Sequence, residues 1–461
     1  MKRIFINQTI DKIGEEVMIC GWVQKRRDHG KIIFIDLRDV SGLIQLVFLP
    51  NNKEIYELAN KLRSEWVIKV RGIVNKRPEK MENSMLLTGQ AEILVNNLEI
   101  LSESQTPPFE IEEAQKVGED VRLKYRYLDL RNEKIKNNLI LRNKVNNFLR
   151  NFLFKENFIE IETPILTKST PEGARDYIVP SRLQKGNFYA LPQSPQQYKQ
   201  LLMVAGFDKY FQIARCFRDE DTRGDRQPEF TQLDIEMSFI TQEEILELIE
   251  NILIKLVKEL LPEKYISQIP FPRLTYKEAM DKYKIDKPDL RKDKNDQNEL
   301  AFCFVIDFPM FEWKEQENRW DAVHHPFTRP QTEIIDELKK NPKDILAYQY
   351  DMVCNGYEIG GGSLRSYRPE ILETIFEIMG HTKEAIHEKF GHLLEAFKYG
   401  VPPHGGLAFG LDRLLMILAN ESTIREVIAF PKTGDGRDLM MDSPSEVDNI
   451  QLKELGVKIS N

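Results

Sequence analysis

Residues 16–101 alternate apolar and polar side chains in five short runs, with one helical pattern between the third and fourth runs. Alternation with a period of two predicts strands, and apolar residues three or four positions apart predict a helix. Three strands, a helix and two more strands is the order of an OB-fold, a small barrel often used to bind oligonucleotides. A small β core that binds no ligand is the alternative.

The pattern changes after a stretch, 102–120, that is rich in proline and acids and is typical of a linker. LILRNKVNNFLRNFLFKENF predicts a long amphipathic helix, and FIEIETPIL predicts a strand after it. Further strands are predicted in YFQIARCFRDE, FTQLDIEMSF, FCFVIDFPMF and YEIGGGSLRS. Helices are predicted near 241–260, 331–346, 369–380 and 383–398, and a last helix is predicted in GGLAFGLDRLLMILA from residue 405.

These strands and helices follow no regular βαβ rhythm, which favours an α+β domain built on an antiparallel sheet with flanking helices. We therefore predict three parts: an OB-fold at 1–104, a linker or hinge at 105–124 and a larger α+β domain at 125–461.

Composition adds limits. Hydrophobic residues make up 41% of the chain and charged residues 30%, as is ordinary for a globular protein. No run approaches the ~20 apolar residues that cross a bilayer, and no apolar segment follows the first basic residues, so we expect a cytoplasmic protein without a membrane contact. The four cysteines are far apart, which favours reduced thiols.

The net charge of −8 does not suggest a nucleic-acid partner. The charge is uneven, however, because residues 1–105 hold 16 Lys and Arg against 14 Asp and Glu. Binding a large polyanion needs a local basic face and not a basic whole chain.

A charged run, FRDEDTRGDRQPEF at 217–230, lies between two predicted strands. A solvated hairpin is the commoner outcome for such a run. Arg218, however, follows Cys216 and Phe217 within the strand pattern, so we expect it to face the surface of the sheet. An arginine held there is suited to a bidentate grip on phosphate or carboxylate.

The run YEIGGGSLR at 357–365 puts three glycines in a predicted strand, which indicates that something lies close against that backbone. Glu358 lies in this run and Asp351 precedes it. Carboxylates of this kind are suitable ligands for Mg²⁺ that bridges phosphates.

Two further cations lie in patterns with two interpretations. Arg413 comes as the apolar helix of GLAFGLDRLLMIL begins, where a charged residue needs a partner. That partner is Asp412 or another acid if the role is structural, and a nucleotide phosphate if it is functional. Lys199 lies in QSPQQYKQ, which alone resembles any helix start with Ser194 as its cap.

Taken in order, these motifs resemble those of the class II aminoacyl-tRNA synthetases over nearly the whole chain. FIEIETPIL, FRDED…RQPEFTQLDIE and GGLAFGLDRLLM resemble motifs 1, 2 and 3, and the OB-fold narrows the resemblance to the subgroup for aspartate, asparagine and lysine. Four further segments resemble the aspartyl enzymes of bacteria: TPEGARDY, QSPQQYKQ, HHPFT and, near the end of the chain, REVIAFPKT.

The resemblance implies ATP-dependent activation of L-aspartate with Mg²⁺, and transfer of the aspartyl group to the 3′ end of aspartate tRNA. It implies catalytic Arg218, Arg413 and Glu358; aspartate-binding Glu172, Gln196, Lys199, Arg218, Asp234, His324, His325, Ser363 and Arg365; ATP-binding Arg218, Asp219, Glu220, Gln227, Glu358, Gly410, Leu411, Asp412 and Arg413; and Mg²⁺-binding Asp351 and Glu358. Lys199 and Arg365 match the grip on the β-carboxylate, and we expect asparagine to be rejected because it would leave these cations unpaired.

In the OB-fold, the resemblance implies anticodon contacts from Arg27, His29, Phe34, Gln45 and Glu92. Single-stranded bases are read by aromatic stacking and by hydrogen bonds to base edges, although the alternation around Phe34 also allows a core position. Lys25, Arg26 and Arg27 are expected at the tRNA phosphates. Motif 1 implies a C2 homodimer.

Two features depart from the expected pattern or extend it. Bacterial members of this family carry an extra domain between motifs 2 and 3, whereas only KDKNDQNELA, near 292–301, joins the flanking segments here, so we predict that this domain is missing.

His29 in the turn DHG is associated in the family with enzymes that also charge asparagine tRNA, whose product passes to a tRNA-dependent amidotransferase. An ordinary exposed turn residue is the alternative for His29.

Rival functions share the fold. A lysyl enzyme needs acids where Lys199 and Arg365 stand, and an asparaginyl enzyme has no use for both cations. A non-catalytic tRNA-binding paralogue would have lost Arg218, Glu358 or Arg413, and all three are present. An amide ligase that makes free asparagine would not need the OB-fold.

Overall fold

The structure is a computed structural model that describes residues 1–170 and 173–459. The chain forms two compact units, Met1–Ala114 and Gln115–Asn461. The boundary falls inside the segment predicted as a linker, which is more ordered than expected. Phe109, Ile111 and Ala114 are buried, and Ile111–Lys116 forms a 3-10 helix.

The first unit is a closed five-stranded barrel with the strand order β1-β2-β3-β5-β4, so the OB-fold prediction is confirmed. β3 and β5 pair in parallel, and the other neighbours pair antiparallel. Its elements are β1 (Glu16–His29), β2 (Ile32–Asp39), β3 (Gly42–Phe48), α1 (Lys53–Lys61), β4 (Val67–Lys76) and β5 (Ala91–Ser102), with 3-10 helices at Ile6–Lys12 and Glu79–Met81.

Alternation decides which side chains of the barrel point inward. Ile33, Ile35 and Leu37 of β2 are buried in the barrel core. Phe34 and Asp36 lie between them in sequence and point outward, where they are only partly covered. The core position considered for Phe34 is therefore wrong.

The second unit is an α+β domain around an eight-stranded sheet of order β12-β14-β17-β18-β19-β10-β9-β6. The strands of this unit are β6 (Ile159–Glu160), β7 (Ile178–Pro180), β8 (Phe188–Ala190), β9 (Lys209–Phe217), β10 (Glu229–Ser238), β11 (Tyr265–Ile266), β12 (Arg273–Thr275), β13 (Glu299–Leu300), β14 (Phe302–Ile306), β15 (Phe311–Lys314), β16 (Arg319–Ala322), β17 (Gln349–Cys354), β18 (Tyr357–Leu364) and β19 (His404–Gly410).

The helices flank this sheet. They are α2 (Glu119–Lys124), α3 (Arg126–Asp129), α4 (Glu133–Lys155), α5 (Gln196–Val204), α6 (Gln242–Leu260), α7 (Tyr276–Tyr283), α8 (Ile335–Lys340), α9 (Pro369–Ile378), α10 (Lys383–Phe397), α11 (Leu411–Leu418) and α12 (Asn449–Leu455), with 3-10 turns at Pro342–Asp344 and Ile424–Glu426. The six inner strands pair antiparallel, as predicted, and only the edge strands β12 and β6 pair in parallel.

Helices α4, α6 and α11 bury their apolar stripes against one face of the sheet in a single core. Helix α6 begins at a capping box, in which the side chains of Thr241 and Glu244 each accept a hydrogen bond from the other residue's backbone amide. With this face of the sheet filled by apolar side chains, polar side chains of the same strands are left to the opposite face.

The glycine run of β18 is explained by its neighbours. A Cβ at Gly362 would lie 2.1 Å from the carbonyl oxygen of Gly406, and a Cβ at Gly406 would lie 2.1 Å from Glu236 Oε2. A Cβ at Gly361 would lie 2.9 Å from Asp351 Oδ1. The predicted close approach is therefore made by adjacent strands and by two carboxylates.

The last helix was predicted to begin near residue 405, and this prediction is wrong. Residues His404–Gly410 form strand β19 between β10 and β18, and the helix begins only at Leu411. Gly405 and Gly406 occupy the crowded pairing region, where their lack of a side chain suits a strand between two partners.

Two other predicted elements are shorter than expected. The helix predicted at 331–346 covers only Ile335–Lys340, since Asn341 ends it and Pro342 begins a 3-10 turn. The strand predicted in FIEIETPIL covers only Ile159–Glu160.

The segment that replaces the expected extra domain is a short surface loop. The backbone amide of Lys292 donates to Glu299 Oε2 at 3.2 Å, so the two ends of the loop are held together. The second end is also fixed by the parallel pairing of β13 with β11. In the part of the chain that the structure describes, no helix has the length and apolar character needed to span a bilayer.

We predict that Gly362→Ala destabilises the second unit by about 1–3 kcal/mol, because the new methyl group would push β18 and β19 apart. Unfolding in denaturant measures the change. Gly434→Ala is the matched control, since nothing lies within 4 Å of a Cβ at that position. Equal stability of the two variants would contradict the close strand approach.

Candidate active site

A cavity of about 390 Å³ lies over the polar face of the sheet. Helix α5 contributes Gln196 and Lys199, and strand β10 contributes Gln232 and Asp234. Most of the residues predicted from the sequence line this cavity: Gln196, Lys199, Arg218, Glu220, Gln227, Asp234, His324, His325, Asp351, Glu358, Arg365, Gly410, Asp412 and Arg413.

Strand β10 separates core from cavity by simple alternation. Leu233, Ile235 and Met237 point into the hydrophobic core. Asp234 and Glu236 point to the other face and are completely buried there. Glu236 was not among the predicted site residues, although its position two residues after Asp234 in a strand was a usable signal.

Glu236 holds both cations that were predicted to grip the substrate side chain. Its carboxylate accepts from Arg365 Nε at 2.8 Å and from Arg365 Nη2 at 3.0 Å. It also lies 3.1 Å from Lys199 Nζ. Lys199 donates in addition to Asp234 Oδ1 at 2.6 Å.

The expectation that asparagine would leave these cations unpaired is therefore wrong, because both already have carboxylate partners. Arg365 Nη1 also donates to His325 Nε2 at 2.9 Å and to Ser363 Oγ at 2.8 Å. Among the described residues, Lys199 keeps one of its three N–H groups unused and Arg365 keeps one of its five. Two N–H donors thus remain at this end of the cavity.

The pKa values of the two buried carboxylates, Glu236 and Asp234, are shifted in opposite directions. Burial alone would raise the pKa of Glu236, but Arg365 and Lys199 outweigh it and lower the pKa to about 2. For Asp234, burial outweighs the attraction of Lys199 and raises the pKa. Asp234 Oδ2 is buried without a hydrogen-bond partner among the described residues, so it is an acceptor available to a ligand.

His325 is a neutral acceptor beneath Arg365. Its Nε2 accepts from the guanidinium, and burial lowers its pKa well below the usual value, with Arg365 acting in the same direction. The ring therefore orients Arg365 without adding a positive charge. His324 lies with its Nε2 at 3.9 Å from Asp351.

Arg218, which also lines the cavity, follows strand β9 and lies over the ring of Phe230 at 5.1 Å. Its Nε is buried and has no hydrogen-bond partner among the described residues. A solvated hairpin is therefore the wrong interpretation for this arginine. A buried guanidinium edge without a partner is suited to an anion.

Arg413 is partly paired by the protein. It lies 3.2 Å from Asp225 Oδ2 and donates to the carbonyl of Glu358. Asp412 is not its partner, since the Asp412 carboxylate accepts from Arg142 and, at 2.9 Å, from the amide of Thr231. Asp412 thus fixes the start of α11.

Gln227 shows the same pattern of one used and one unused group. Its Oε1 accepts from the amide of Lys432 at 2.7 Å, and its Nε2 has no partner among the described residues.

Asp351 and Glu358 form a carboxylate pair on the neighbouring strands β17 and β18. Burial, and then repulsion from Glu358, raise the pKa of Asp351 well above its usual value. Gln349, which the sequence did not indicate, donates to Asp351 Oδ1 at 2.9 Å. The described residues contain no group of three or more His, Cys, Asp or Glu side chains that could hold a metal ion.

Four predicted residues are placed elsewhere or not described. Ser363 is fully buried beneath Arg365, and the side chain of Leu411 lies in the hydrophobic core. Asp219 lies outside the cavity lining, with its backbone bonded to Arg175. Glu172 is outside the described residues.

The outer face of the barrel gathers the residues predicted to read an anticodon. Arg27 donates to Asp36 Oδ1 at 2.6 Å and to Gln45 Oε1 at 3.3 Å, and Gln45 Nε2 donates to Glu92 at 2.9 Å. Phe34 lies on the same outer face as these polar side chains and offers an aromatic ring to a ligand.

His29 is the last residue of β1 and not part of the turn, which begins at Gly30. Its ring lies edge-on to Phe34, with 5.9 Å between the ring centroids. Both residues of this aromatic pair are accessible. His29 is therefore exposed, as the alternative assumed, and it also adjoins the polar face of Arg27, Gln45 and Glu92.

Known families match both units. The family described as tRNA synthetases class II (D, K and N) matches residues 118–434, and an OB-fold nucleic acid binding domain matches residues 17–101. With the fold and cavity, this defines the class of protein as a class II tRNA synthetase. The chain belongs to the branch of that class denoted D, K and N, for aspartate, lysine and asparagine.

Curated relatives match almost end to end. An aspartate–tRNA(Asp/Asn) ligase of Legionella pneumophila is 42% identical over 97% of both chains. An aspartate–tRNA ligase of Agathobacter rectalis is 43% identical over 97% of this chain and 96% of the relative. The Legionella alignment spans 580 positions, more than the 461 residues of this chain, so that relative has segments that are absent here.

Solved structures share the fold. The asparaginyl-tRNA synthetase of Pyrococcus horikoshii has a TM-score of 0.76 at 22% identity and covers 94% of this chain and 98% of its own. The aspartyl-tRNA synthetase of Entamoeba histolytica has a TM-score of 0.73 at 23% identity and covers 94% of this chain and 91% of its own.

We predict that Glu236→Gln destabilises the protein by about 3–5 kcal/mol at neutral pH, because it leaves buried cations short of negative charge. The pKa of Glu236 falls from 4.5 to about 2 on folding. The charged form therefore stabilises the fold fully above about pH 4.5, and this contribution is lost as the pH falls towards 2.

Denaturant unfolding at several pH values measures the effect, and the difference from the wild type is expected to narrow below about pH 4.5. Glu229→Gln is the control, since Glu229 lies on the same strand in an exposed pair with Arg215, and a loss of about 1 kcal/mol or less is expected. Equal losses for the two variants would refute the role of Glu236.

Proposed function

We propose that the protein is an aspartate–tRNA ligase, which activates L-aspartate with ATP and transfers it to tRNA. The observation that carries the proposal is the pair of unused N–H donors on Lys199 and Arg365. Both cations line a cavity that Arg218 and Arg413 also line. The names of the curated relatives support the same activity.

The donors distinguish aspartate from asparagine. The β-carboxylate of aspartate offers two acceptor oxygens to the two N–H groups. The carboxamide of asparagine has only one oxygen, so its NH₂ group would face one of these N–H donors. A buried donor that faces a donor is costly, and such a site rejects the wrong substrate strongly.

Activation requires little proton chemistry. The α-carboxylate of aspartate is already ionised at neutral pH, and its oxygen forms a bond to the α-phosphorus of ATP as the bond to pyrophosphate breaks. Arg218 is placed to hold the negative charge that gathers on the α-phosphate, and Arg413 to hold the outer phosphates. Catalysis is then mainly positioning and charge stabilisation.

The carboxylates of Asp351 and Glu358 fit Mg²⁺, because a cation would relieve the raised pKa of the buried Asp351 carboxylate beside Glu358 and because Mg²⁺ is usually held by one or two carboxylates plus phosphate oxygens. When bound, Mg²⁺ would neutralise phosphate charge.

On the tRNA side, we propose that the outer barrel face of Arg27, Phe34, Gln45 and Glu92 binds the anticodon, with a base stacked on Phe34. His29 beside Phe34 supports a second substrate, asparagine tRNA, as do the relatives named for both tRNAs. The aspartyl group on asparagine tRNA would then be amidated by a tRNA-dependent amidotransferase.

We also propose a homodimer through motif 1. Large apolar side chains of this region are exposed in the single chain, among them Phe154, Ile159, Ile165 and Leu166. A cluster of exposed apolar residues of this size is typical of a protein interface.

ATP–pyrophosphate exchange tests the assignment, with exchange expected for aspartate and background rates for asparagine and lysine. We predict that Arg218→Ala lowers aspartate-dependent exchange by about a hundredfold or more, since it removes a donor to the reacting phosphate. Arg215→Ala, on the exposed side of the same strand, is the control and should exchange normally. Near-normal exchange by Arg218→Ala would overturn the site.

We predict that the wild-type enzyme charges both aspartate and asparagine tRNA, and that His29→Leu raises the preference for aspartate tRNA. Aminoacylation of the two purified tRNAs measures the preference. Exchange without tRNA should stay unchanged, because residue 29 belongs to the other unit. Val40→Leu, in the neighbouring exposed turn, is the control. A wild-type enzyme that discriminates thousands-fold against asparagine tRNA would contradict this proposal.

A further inference from the structure

Behind the cavity, three buried side chains form a hydrogen-bonded chain that ends at Gln196. Gln196 Nε2 donates to Gln200 Oε1 at 3.1 Å, Gln200 Nε2 lies 3.2 Å from His404 Nε2, and His404 Nδ1 lies 2.8 Å from the carbonyl oxygen of Pro402. Gln200 and His404 are almost completely buried.

The direction of this chain is fixed at its inner end. A carbonyl oxygen only accepts, so His404 Nδ1 must carry the proton and donate it to Pro402. Burial lowers the pKa of His404, with Arg365 and Lys199 acting in the same direction, and Glu236 and the Pro402 carbonyl act against them. The neutral ring therefore has a lone pair on Nε2, which accepts from Gln200.

Each amide in turn is oriented by the one behind it. Because Gln200 must point its NH₂ group at His404, its carbonyl oxygen faces Gln196. Gln196 then turns its own NH₂ group away from the cavity, so Oε1 is the atom it can offer to a ligand. No hydrogen bond to this oxygen occurs among the described residues, and Gln196 lines the cavity.

Aspartate in its ordinary ionic form has one group that can donate hydrogen bonds, the α-ammonium, and two carboxylates that only accept. An oxygen acceptor in the cavity wall therefore meets the ammonium group. Asp234 Oδ2, a second acceptor without a partner among the described residues, belongs to a residue that also lines the cavity. A reversed amide at Gln196 would present NH₂ to a cation and repel it.

We infer that His404 and Gln200 are positioning residues for substrate recognition: together they set the amide of Gln196 so that its oxygen binds the α-ammonium group of the amino acid. This inference rests on the proposed function for the identity of the amino acid. It adds two residues that lie behind the cavity wall and touch no substrate.

The test compares His404→Met with His404→Gln in ATP–pyrophosphate exchange. Methionine offers Gln200 no good acceptor, so both amides can reverse, and we expect the KM for aspartate to rise about 10- to 100-fold with little change in kcat. Glutamine can place its Oε1 near the position of the lost Nε2 and should restore most of the affinity. His381→Met, a change of the same kind at a histidine packed on Phe376, is the control.

Succinate, which is aspartate without its amino group, separates positioning from general damage. Its inhibition constant should be the same for the wild type and for His404→Met, because it has no ammonium group to lose. An equal weakening of succinate and aspartate, or no recovery in His404→Gln, would overturn the inference. If the wild type activated asparagine instead, the proposed function would fail. The same hydrogen-bonded chain would then be tested with asparagine as the substrate and with succinamate, which is asparagine without its amino group, as the inhibitor.

Discussion

The buried carboxylate of Glu236 is the charge on which the amino-acid end of the cavity depends. Lys199 and Arg365 come from a helix and a distant strand, and neither cation would be stable in this buried position without a counter-charge. Glu236 joins them from β10, and the rest of their hydrogen-bonding capacity is largely taken by Asp234, His325 and Ser363. What remains is one N–H on each cation, and this remainder is specific for a pair of carboxylate oxygens.

The packing of the sheet follows from the same carboxylate. Gly406 lies opposite Glu236, and a Cβ there would overlap Glu236 Oε2. Gly362 in turn lies against the carbonyl of Gly406. Small residues in two adjacent strands therefore make room for a charged group in the middle of the sheet, and the paired cations offset the cost of burying that charge.

Much of the architecture could be predicted from periodicity, because strands such as β2 and helices such as α4 and α6 have one apolar face. The boundary at residue 405 could not, since glycine, alanine and leucine in GGLAFGL suit a helix pattern as well as a strand enclosed on both sides. Motif resemblance identified the cavity residues. It did not show that Lys199 and Arg365 were already paired, because Glu236 is distant from both in sequence and looks like any polar residue of an alternating strand.

The loop at 292–298 shows how a chain can lose a segment without damage to its scaffold. The backbone amide of Lys292 donates to Glu299 Oε2 across the loop at 3.2 Å, and most residues from 292 to 298 are exposed. An inserted domain needs only that its own two ends lie close together, and this site supplies such a pair of neighbouring attachment points. The loop is consequently a natural graft point, where a fluorescent reporter or an affinity module can be built into the enzyme.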